Sequence, residues 1–122
     1  LKCFKRMYGG ETFVPKIPSI RLTDLATAMQ PDFDQQTIGV RPGEKLHEQM
    51  VPEDESFRTY EFKDHYVIAP AIKFSDIDVD FRTNGLDEHG KLVPQGFSYS
   101  SATNSQFLSV AEIKAMLDVA KA

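Results

Sequence analysis

Apolar residues recur at helical spacing in the first half of this 122-residue chain. The pattern predicts a helix over residues 22–29, because four apolar positions spaced i, i+3, i+4 and i+7 share one face of a helix. Ser19 or Thr23 is expected to cap this helix, and Pro31 to end it. The apolar positions are Leu22, Leu25, Ala26 and Met29.

A second helix is predicted at the end of the chain, from residue 109 onwards. Ser109 and Glu112 have the spacing of a capping box, and Leu108 with Ile113 has that of a hydrophobic staple. The apolar face that follows consists of Val110, Ile113, Met116, Leu117 and Ala120.

Short alternating or β-rich runs predict strands between these helices. We expect strands over 12–14, 37–40 and 77–81, and a β-hairpin whose arms, 58–62 and 65–69, flank Lys63 and Asp64. A charged helix is expected over 43–50, and an ordered surface loop or arm over 83–106. The sum is a small domain of mixed α+β class.

The beginning of the chain has a helical pattern without a cap before it. Leu1, Phe4 and Tyr8 lie near helical spacing, and Gly9 and Gly10 end the run. We interpret residues 1–8 as the tail of a helix in a longer protein. The alternative is a natural start from which Met was removed, although Leu after Met usually prevents that removal.

Composition and charge narrow the class of protein. A hydrophobic content of 41% with 26% charged residues fits a globular domain, and a net charge of −4 gives no general attraction to nucleic acid or anionic membranes. A single cysteine, Cys3, favours a reducing compartment such as the cytoplasm, and we expect it to be buried in its helix. No apolar run reaches the ~18 residues of a membrane-spanning helix.

One turn carries the best candidate for a chemical site. Arg41 and Glu44 flank Pro42 and Gly43, so a guanidinium and a carboxylate lie three residues apart. We expect Arg41 at a strand end, where it can bind phosphate, and Glu44 in the first turn of a helix, where it can accept two ribose hydroxyls. The alternative is an ordinary surface turn with an Arg41–Glu44 ion pair, which the four residues alone favour.

Other constellations are weaker. The three histidines, His47, His65 and His89, lack metal-ligand spacing. The aspartates at 76, 78 and 80 resemble the start of a calcium loop, but Phe81 stands where such a loop needs Gly. Lys16 and Lys45 are possible phosphate partners, although such lysines are more often solvated charges.

Longer runs resemble one enzyme family. These runs are residues 8–20, 38–50, 51–56, 60–62, 66–68 and 97–101, followed by Asn104, Phe107 and Leu108. They are similar to the inverting UDP-N-acetylglucosamine 4,6-dehydratases, most specifically over residues 9–68. Pro42 and His47 favour this branch over the related 4,6-dehydratase/5-epimerases.

The resemblance implies an extended short-chain dehydrogenase/reductase, in which an NADP-binding Rossmann domain precedes a smaller substrate domain. It implies that residues 1–8 end the Rossmann domain and that 9–122 form the substrate domain, with an arm over 70–108. Arg41 would then bind the diphosphate or uridine side of UDP-N-acetylglucosamine, and Glu44 its ribose. The chain has no G-x-x-G-x-x-G loop and no Tyr-x-x-x-Lys pair, so the resemblance implies an inactive piece that binds no cofactor by itself.

The same resemblance implies how the intact enzyme works. Its NADP⁺ takes a hydride from C4 of the sugar, and water leaves across C5 and C6. The hydride then returns to C6, and C5 is reprotonated with inversion. The intact enzyme is expected to be a homo-oligomer of surface-polysaccharide or flagellin-glycan biosynthesis. Two rival functions remain open: a domain of a related nucleotide-sugar epimerase, or an oligomerisation module that acts through the arm.

Overall fold

A computed structural model describes residues 2–73, 76 and 78–121. The elements, in chain order, are α1 (Lys2–Arg6), β1 (Thr12–Pro15), α2 (Leu22–Met29), β2 (Gln49–Val51), a 3₁₀ helix (Glu53–Arg58), β3 (Thr59–Glu61), β4 (His65–Ile68), β5 (Lys91–Leu92), β6 (Tyr99–Ser100) and α3 (Val110–Lys121). The mixed helix-and-sheet class is therefore confirmed. No helix in the described part of the chain is long and apolar enough to span a membrane.

The chain folds into two compact units. One comprises residues 1–16 and 49–99, and the other comprises residues 17–48 and 100–122. We call them the sheet unit and the helical unit. The domain boundary expected after residue 8 remains a prediction.

The sheet unit is built on four antiparallel strands in the order β1-β4-β3-β5. The predicted hairpin is confirmed as β3 and β4, in which Tyr60 lies opposite Val67. β2 pairs with β6 in a separate two-stranded sheet. Val14, Val51, Tyr66 and Val93 form the core, and Phe97 packs on Tyr66 with 5.2 Å between the ring centroids.

A buried arginine joins three parts of the sheet unit. The Arg6 guanidinium, at the end of α1, donates to Glu88 from Nε at 2.6 Å and from Nη2 at 2.9 Å. Its Nη2 also donates to both carboxylate oxygens of Asp64, each at 3.1 Å. Arg6 is only 6% exposed, so these partners are required to compensate the charge taken out of water.

Two carboxyl groups of this cluster are strongly acidic. The hydrogen bond from Arg6, followed by that from Asn84, lowers the pKa of Glu88 to about 2. The hydrogen bond with His65, followed by those from Arg6, lowers the pKa of Asp64 to about 2. Asn84 is itself buried, and its Oδ1 accepts the N–H groups of Leu86 and Glu88.

The helical unit packs α2 against α3. The predicted capping box is confirmed, because the Glu112 carboxylate accepts the Ser109 N–H at 2.8 Å and its Oγ–H at 2.7 Å. Ile113, on the predicted apolar face, is 1% exposed, whereas Met116 on the same face is 58% exposed.

The predicted α2 is confirmed, but its predicted cap is wrong. Arg21 is the N-cap residue, and no side chain caps the helix. Ser19 is committed elsewhere: its backbone exchanges hydrogen bonds with Gln106 and Leu108, and its Oγ accepts from Asn104. Tertiary pairing therefore replaced the local capping interaction.

Three other expected elements are absent from the described residues. The strand over 37–40 and the helix over 43–50 do not form. Residues 29–50 are all exposed, and 49–51 pair as β2 instead. Of the strand expected over 77–81, residues 78–81 are irregular or in a turn, and Ile77 lies outside the described residues.

Two expectations about exposure are corrected. Cys3 lies on α1 as predicted but is exposed, because this short helix turns Arg6 inward instead. The expected surface loop over 83–106 contains both β5 and β6, and it buries Asn84 and Val93.

Replacing Ser109 by Ala should lower the free energy of unfolding by about 1 kcal/mol, since the cap of α3 loses its side-chain hydrogen bonds. Urea unfolding followed by circular dichroism measures this change. Ser105→Ala is the matched control, because Ser105 is exposed and has no hydrogen bond among the described residues. Equal stability of the two variants would contradict the capping role.

Replacing Glu88 by Gln should reduce the loss of unfolding free energy that occurs as the pH falls. A carboxyl whose folded pKa is lowered stabilises the fold above its unfolded pKa, and this contribution is lost as the pH falls towards its folded pKa. For Glu88 the window runs from about pH 4.3 down to about pH 2. Urea unfolding at several pH values should show a smaller loss in Glu88→Gln than in the unmutated protein.

Asp87→Asn is the control for this experiment. Asp87 is exposed and has a φ of 57°, a left-handed conformation that Asn tolerates. The control should lose as much unfolding free energy at low pH as the unmutated protein does. An equally large loss in Glu88→Gln would refute the stabilising role of the Glu88 carboxylate.

Candidate functional site

The candidate site is a tight turn in the helical unit. The Glu44 N–H donates to the Arg41 carbonyl at 3.0 Å, Pro42 occupies the second position, and Gly43 has a φ of +87° at the third. This is a type II β-turn, for which Pro and Gly at those positions are preferred. The sharp turn inferred from Pro42 and Gly43 is confirmed, but it lies between irregular segments rather than between a strand and a helix.

The turn brings the two predicted site residues into direct contact. Arg41 Nε donates to Glu44 Oε1 at 2.7 Å, and Nη2 lies 2.6 Å from the same oxygen. The Arg41 backbone N–H donates to Glu44 Oε2 at 2.9 Å. This geometry is the surface ion pair that the four residues alone favour.

The ion pair keeps the carboxylate ionised. The hydrogen bonds from the Arg41 side chain, followed by that from its backbone, lower the pKa of Glu44. The side chains are 75% exposed for Arg41 and 42% exposed for Glu44, so both can be reached from solvent. Arg41 Nη1 has no hydrogen bond among the described residues, and Glu44 Oε2 accepts only the Arg41 N–H, so the pair can still bind further groups.

A cavity of about 720 Å³ lies beside the turn. Its polar side chains are Glu44, Lys45 and Glu48, and its wall also includes the backbone of Gly39 and Gly43. Its size is in the range of small-ligand sites. Lys45 thus borders this cavity together with Glu44. Lys16 lies elsewhere and is paired with Glu61 at 2.7 Å.

His47 and Glu48, which follow the turn, contact a serine that is distant in the sequence. Ser101 Oγ accepts the Glu48 N–H at 3.1 Å and lies 3.2 Å from His47 Nδ1. Ser101 is 54 residues from His47, and no local pattern signals that they meet. His47 stands out in the sequence as a possible functional residue, but its contact with Ser101 does not.

The histidines and the aspartates at 76, 78 and 80 were considered as metal ligands from their spacing in the sequence. Among the described residues, no group of His, Cys, Asp and Glu has the arrangement of a metal site. Asp78 pairs with Lys73, and Asp80 pairs with Arg82, so these aspartates are engaged in surface ion pairs.

The described strands and helices do not form a binding unit for NADP. A dinucleotide-binding unit places a glycine-rich turn between a strand and a helix and continues into a parallel strand. Here the link between β1 and α2, residues 16–21, contains no glycine, and every strand pair of the four-stranded sheet is antiparallel.

Comparison with known proteins gives a consistent family. A family model described as polysaccharide biosynthesis protein matches residues 1–70. The chain is 52% identical over 113 residues to the UDP-N-acetylglucosamine 4,6-dehydratase (inverting) of Campylobacter jejuni subsp. jejuni serotype O:2, which covers 93% of this chain and 34% of that protein. It is 35% identical over 72 residues to the UDP-glucose 4-epimerase of Rickettsia massiliae, covering 56% of this chain and 21% of that protein.

A solved structure has the same fold. Pen from Bacillus thuringiensis superposes with a TM-score of 0.69 at 26% identity, covering 98% of this chain and 34% of that chain. The chain thus spans about a third of the length of the dehydratase relative and of Pen. Because the family model matches more than half of its residues, the chain belongs to the polysaccharide biosynthesis protein family.

Proposed function

We propose that this chain is the nucleotide-sugar-binding part of an inverting UDP-N-acetylglucosamine 4,6-dehydratase. The observation that carries the proposal is the 52% identity to the enzyme of that name, extending over 93% of the chain. The intact enzyme acts in the cytoplasm, as a homo-oligomer, in the biosynthesis of a bacterial surface polysaccharide or flagellin glycan. NADP is held by a separate domain of that enzyme, because this chain lacks the residues for it.

The Arg41–Glu44 turn grips the UDP end of the substrate in this proposal. A diphosphate offers oxygens that match the planar guanidinium of Arg41, with Nη1 already available. Glu44 remains ionised and accepts hydroxyl groups of the ribose. Lys45, which lines the cavity beside the turn together with Glu44, adds a second positive charge for the diphosphate.

The chain contributes binding rather than proton or hydride transfer. Holding the UDP end fixes the sugar relative to the reactive groups of the other domain, which is how positioning lowers a reaction barrier. The helical unit also exposes large apolar side chains, which fit a surface that the rest of a longer protein covers. They are Leu22 at 81%, Phe33 at 73%, Ile38 at 80% and Leu46 at 80% exposure.

A nucleotide-sugar epimerase is the second candidate, supported by the 35% identity to a UDP-glucose 4-epimerase. Both candidates use a UDP-sugar, so the same turn serves either reaction. Product analysis of the full-length protein by NMR separates them: a dehydratase releases a 4-keto-6-deoxy sugar, whereas a 4-epimerase releases a sugar that retains its 6-hydroxyl.

The 122-residue chain alone should not convert UDP-N-acetylglucosamine when NADP⁺ is added. The physical reason is that it carries neither a dinucleotide-binding loop nor a Tyr-x-x-x-Lys pair. Incubation followed by NMR of the sugar products tests this, with the full-length protein as the positive control. Turnover by the chain alone at the rate of the full-length protein would overturn the division of roles.

In the full-length protein, Arg41→Ala should weaken UDP binding by about 10- to 100-fold, as expected for the loss of charge-assisted hydrogen bonds. Calorimetric titration with UDP, uridine and pyrophosphate shows which part of the ligand each side chain binds. Arg41→Ala should lower the affinity for UDP and pyrophosphate but not for uridine. Glu44→Gln should lower the affinity for UDP and uridine, and should not lower that for pyrophosphate.

Arg82→Ala is the matched control. Arg82 is 68% exposed and is paired with a nearby carboxylate, Asp80, in the sheet unit, so it has the same surface chemistry away from the turn. It should bind UDP as the unmutated protein does. If Arg41→Ala binds UDP as tightly as Arg82→Ala does, the turn does not hold the nucleotide.

A further inference from the structure

The segment that carries the turn is not held by a hydrophobic core. Every residue from 29 to 50 is exposed, and residues 31–48 form no helix or strand. A segment of this kind ordinarily samples many conformations, because fixing each residue costs conformational entropy that no burial compensates. A binding site within it therefore needs other restraints.

The first restraint lies before the turn, at Gln35. Its side-chain Nε2 donates to the Thr23 carbonyl at 3.1 Å and to Thr27 Oγ1 at 2.8 Å. Both acceptors belong to α2, where Thr27 Oγ1 in turn donates to the Thr23 carbonyl at 3.0 Å. Gln35 thus anchors the chain to a regular helix that packs against α3.

The second restraint lies after the turn, at Ser101. Its Oγ accepts the Glu48 N–H, and its own backbone N–H donates to the Glu48 carbonyl at 2.9 Å. The same Oγ lies 3.2 Å from His47 Nδ1. Ser101 therefore fixes two consecutive residues of the segment, three and four positions after Glu44.

We propose that Gln35 and Ser101 are positioning residues for the nucleoside-diphosphate site, because their side chains fix the two ends of the segment that carries Arg41 and Glu44. The inference rests on the proposed function. The side-chain amide of Gln35 is bonded to α2, and the Ser101 hydroxyl is bonded to the Glu48 backbone, so each acts through the contact by which it anchors the segment. Loss of either restraint leaves the ligand groups present but no longer preorganised.

The expected effect is on substrate binding and not on the chemical step. A single net hydrogen bond corresponds to about 2- to 12-fold in an equilibrium constant, so Ser101→Ala and Gln35→Ala should each raise KM for UDP-N-acetylglucosamine by about that factor. The value of kcat should stay within about twofold, because the reacting groups lie outside this chain. The Kd for UDP should rise in parallel with KM.

The experiment uses steady-state kinetics and UDP titration on the full-length protein. Ser101→Ala is compared with Ser105→Ala, and Gln35→Ala with Gln36→Ala, since Ser105 and Gln36 are exposed and make no hydrogen bond among the described residues. Ser101→Thr retains the hydroxyl and should restore KM. Urea unfolding of each variant shows that the fold persists.

The possible results separate this inference from the proposed function. If Arg41→Ala weakens UDP binding and both anchor variants raise KM above their controls, the inference is supported. If Arg41→Ala weakens binding but Ser101→Ala and Gln35→Ala match their controls, the positioning role is wrong and the proposed function stands. If Arg41→Ala leaves UDP binding unchanged, the site is elsewhere and both are overturned.

Discussion

The candidate site depends on hydrogen bonds that hold an exposed segment in one conformation. Residues 29–50 are all exposed in this chain, so the hydrophobic effect contributes little to their order within it. Within the segment, the type II turn at Pro42 and Gly43 fixes the separation of Arg41 and Glu44. The side chains of Gln35 and Ser101 then fix where the turn lies relative to α2 and to residues 100–101. Among the described residues, the contacts that place Arg41 and Glu44 are therefore mainly polar.

The sheet unit is stabilised in a different way. Its strands bury Val14, Val51, Tyr66 and Val93, and the buried Arg6 adds a charged crosslink between α1, the hairpin turn and the loop at Glu88. Removing one partner from such a cluster leaves a buried charge uncompensated, whereas removing a surface ion pair costs little. The exposed Arg41–Glu44 pair is a surface ion pair, so its loss costs the fold little stability. The pair is therefore better suited to binding than to structural support.

Local sequence patterns predicted much of this fold and, in the candidate site, the contact between Arg41 and Glu44. The capping box at Ser109, the apolar face of α2 and the two hairpin arms are encoded within a few residues, and all form. The contact between Arg41 and Glu44 follows from the Pro-Gly turn between them. Non-local pairing was not predictable. Residues 49 and 50, the end of the helix predicted over 43–50, belong to β2, whose partner β6 lies about fifty residues away. The contact of Ser101 with Glu48 was not predictable for the same reason, since 53 residues separate the two.

The most direct test is a structure of the full-length protein with UDP bound. The account predicts that phosphate oxygens lie within ~3 Å of the Arg41 guanidinium, that ribose hydroxyls contact Glu44, and that the Gln35 and Ser101 contacts persist. It would be contradicted by UDP bound at another surface while Arg41 and Glu44 remain a solvent-exposed ion pair.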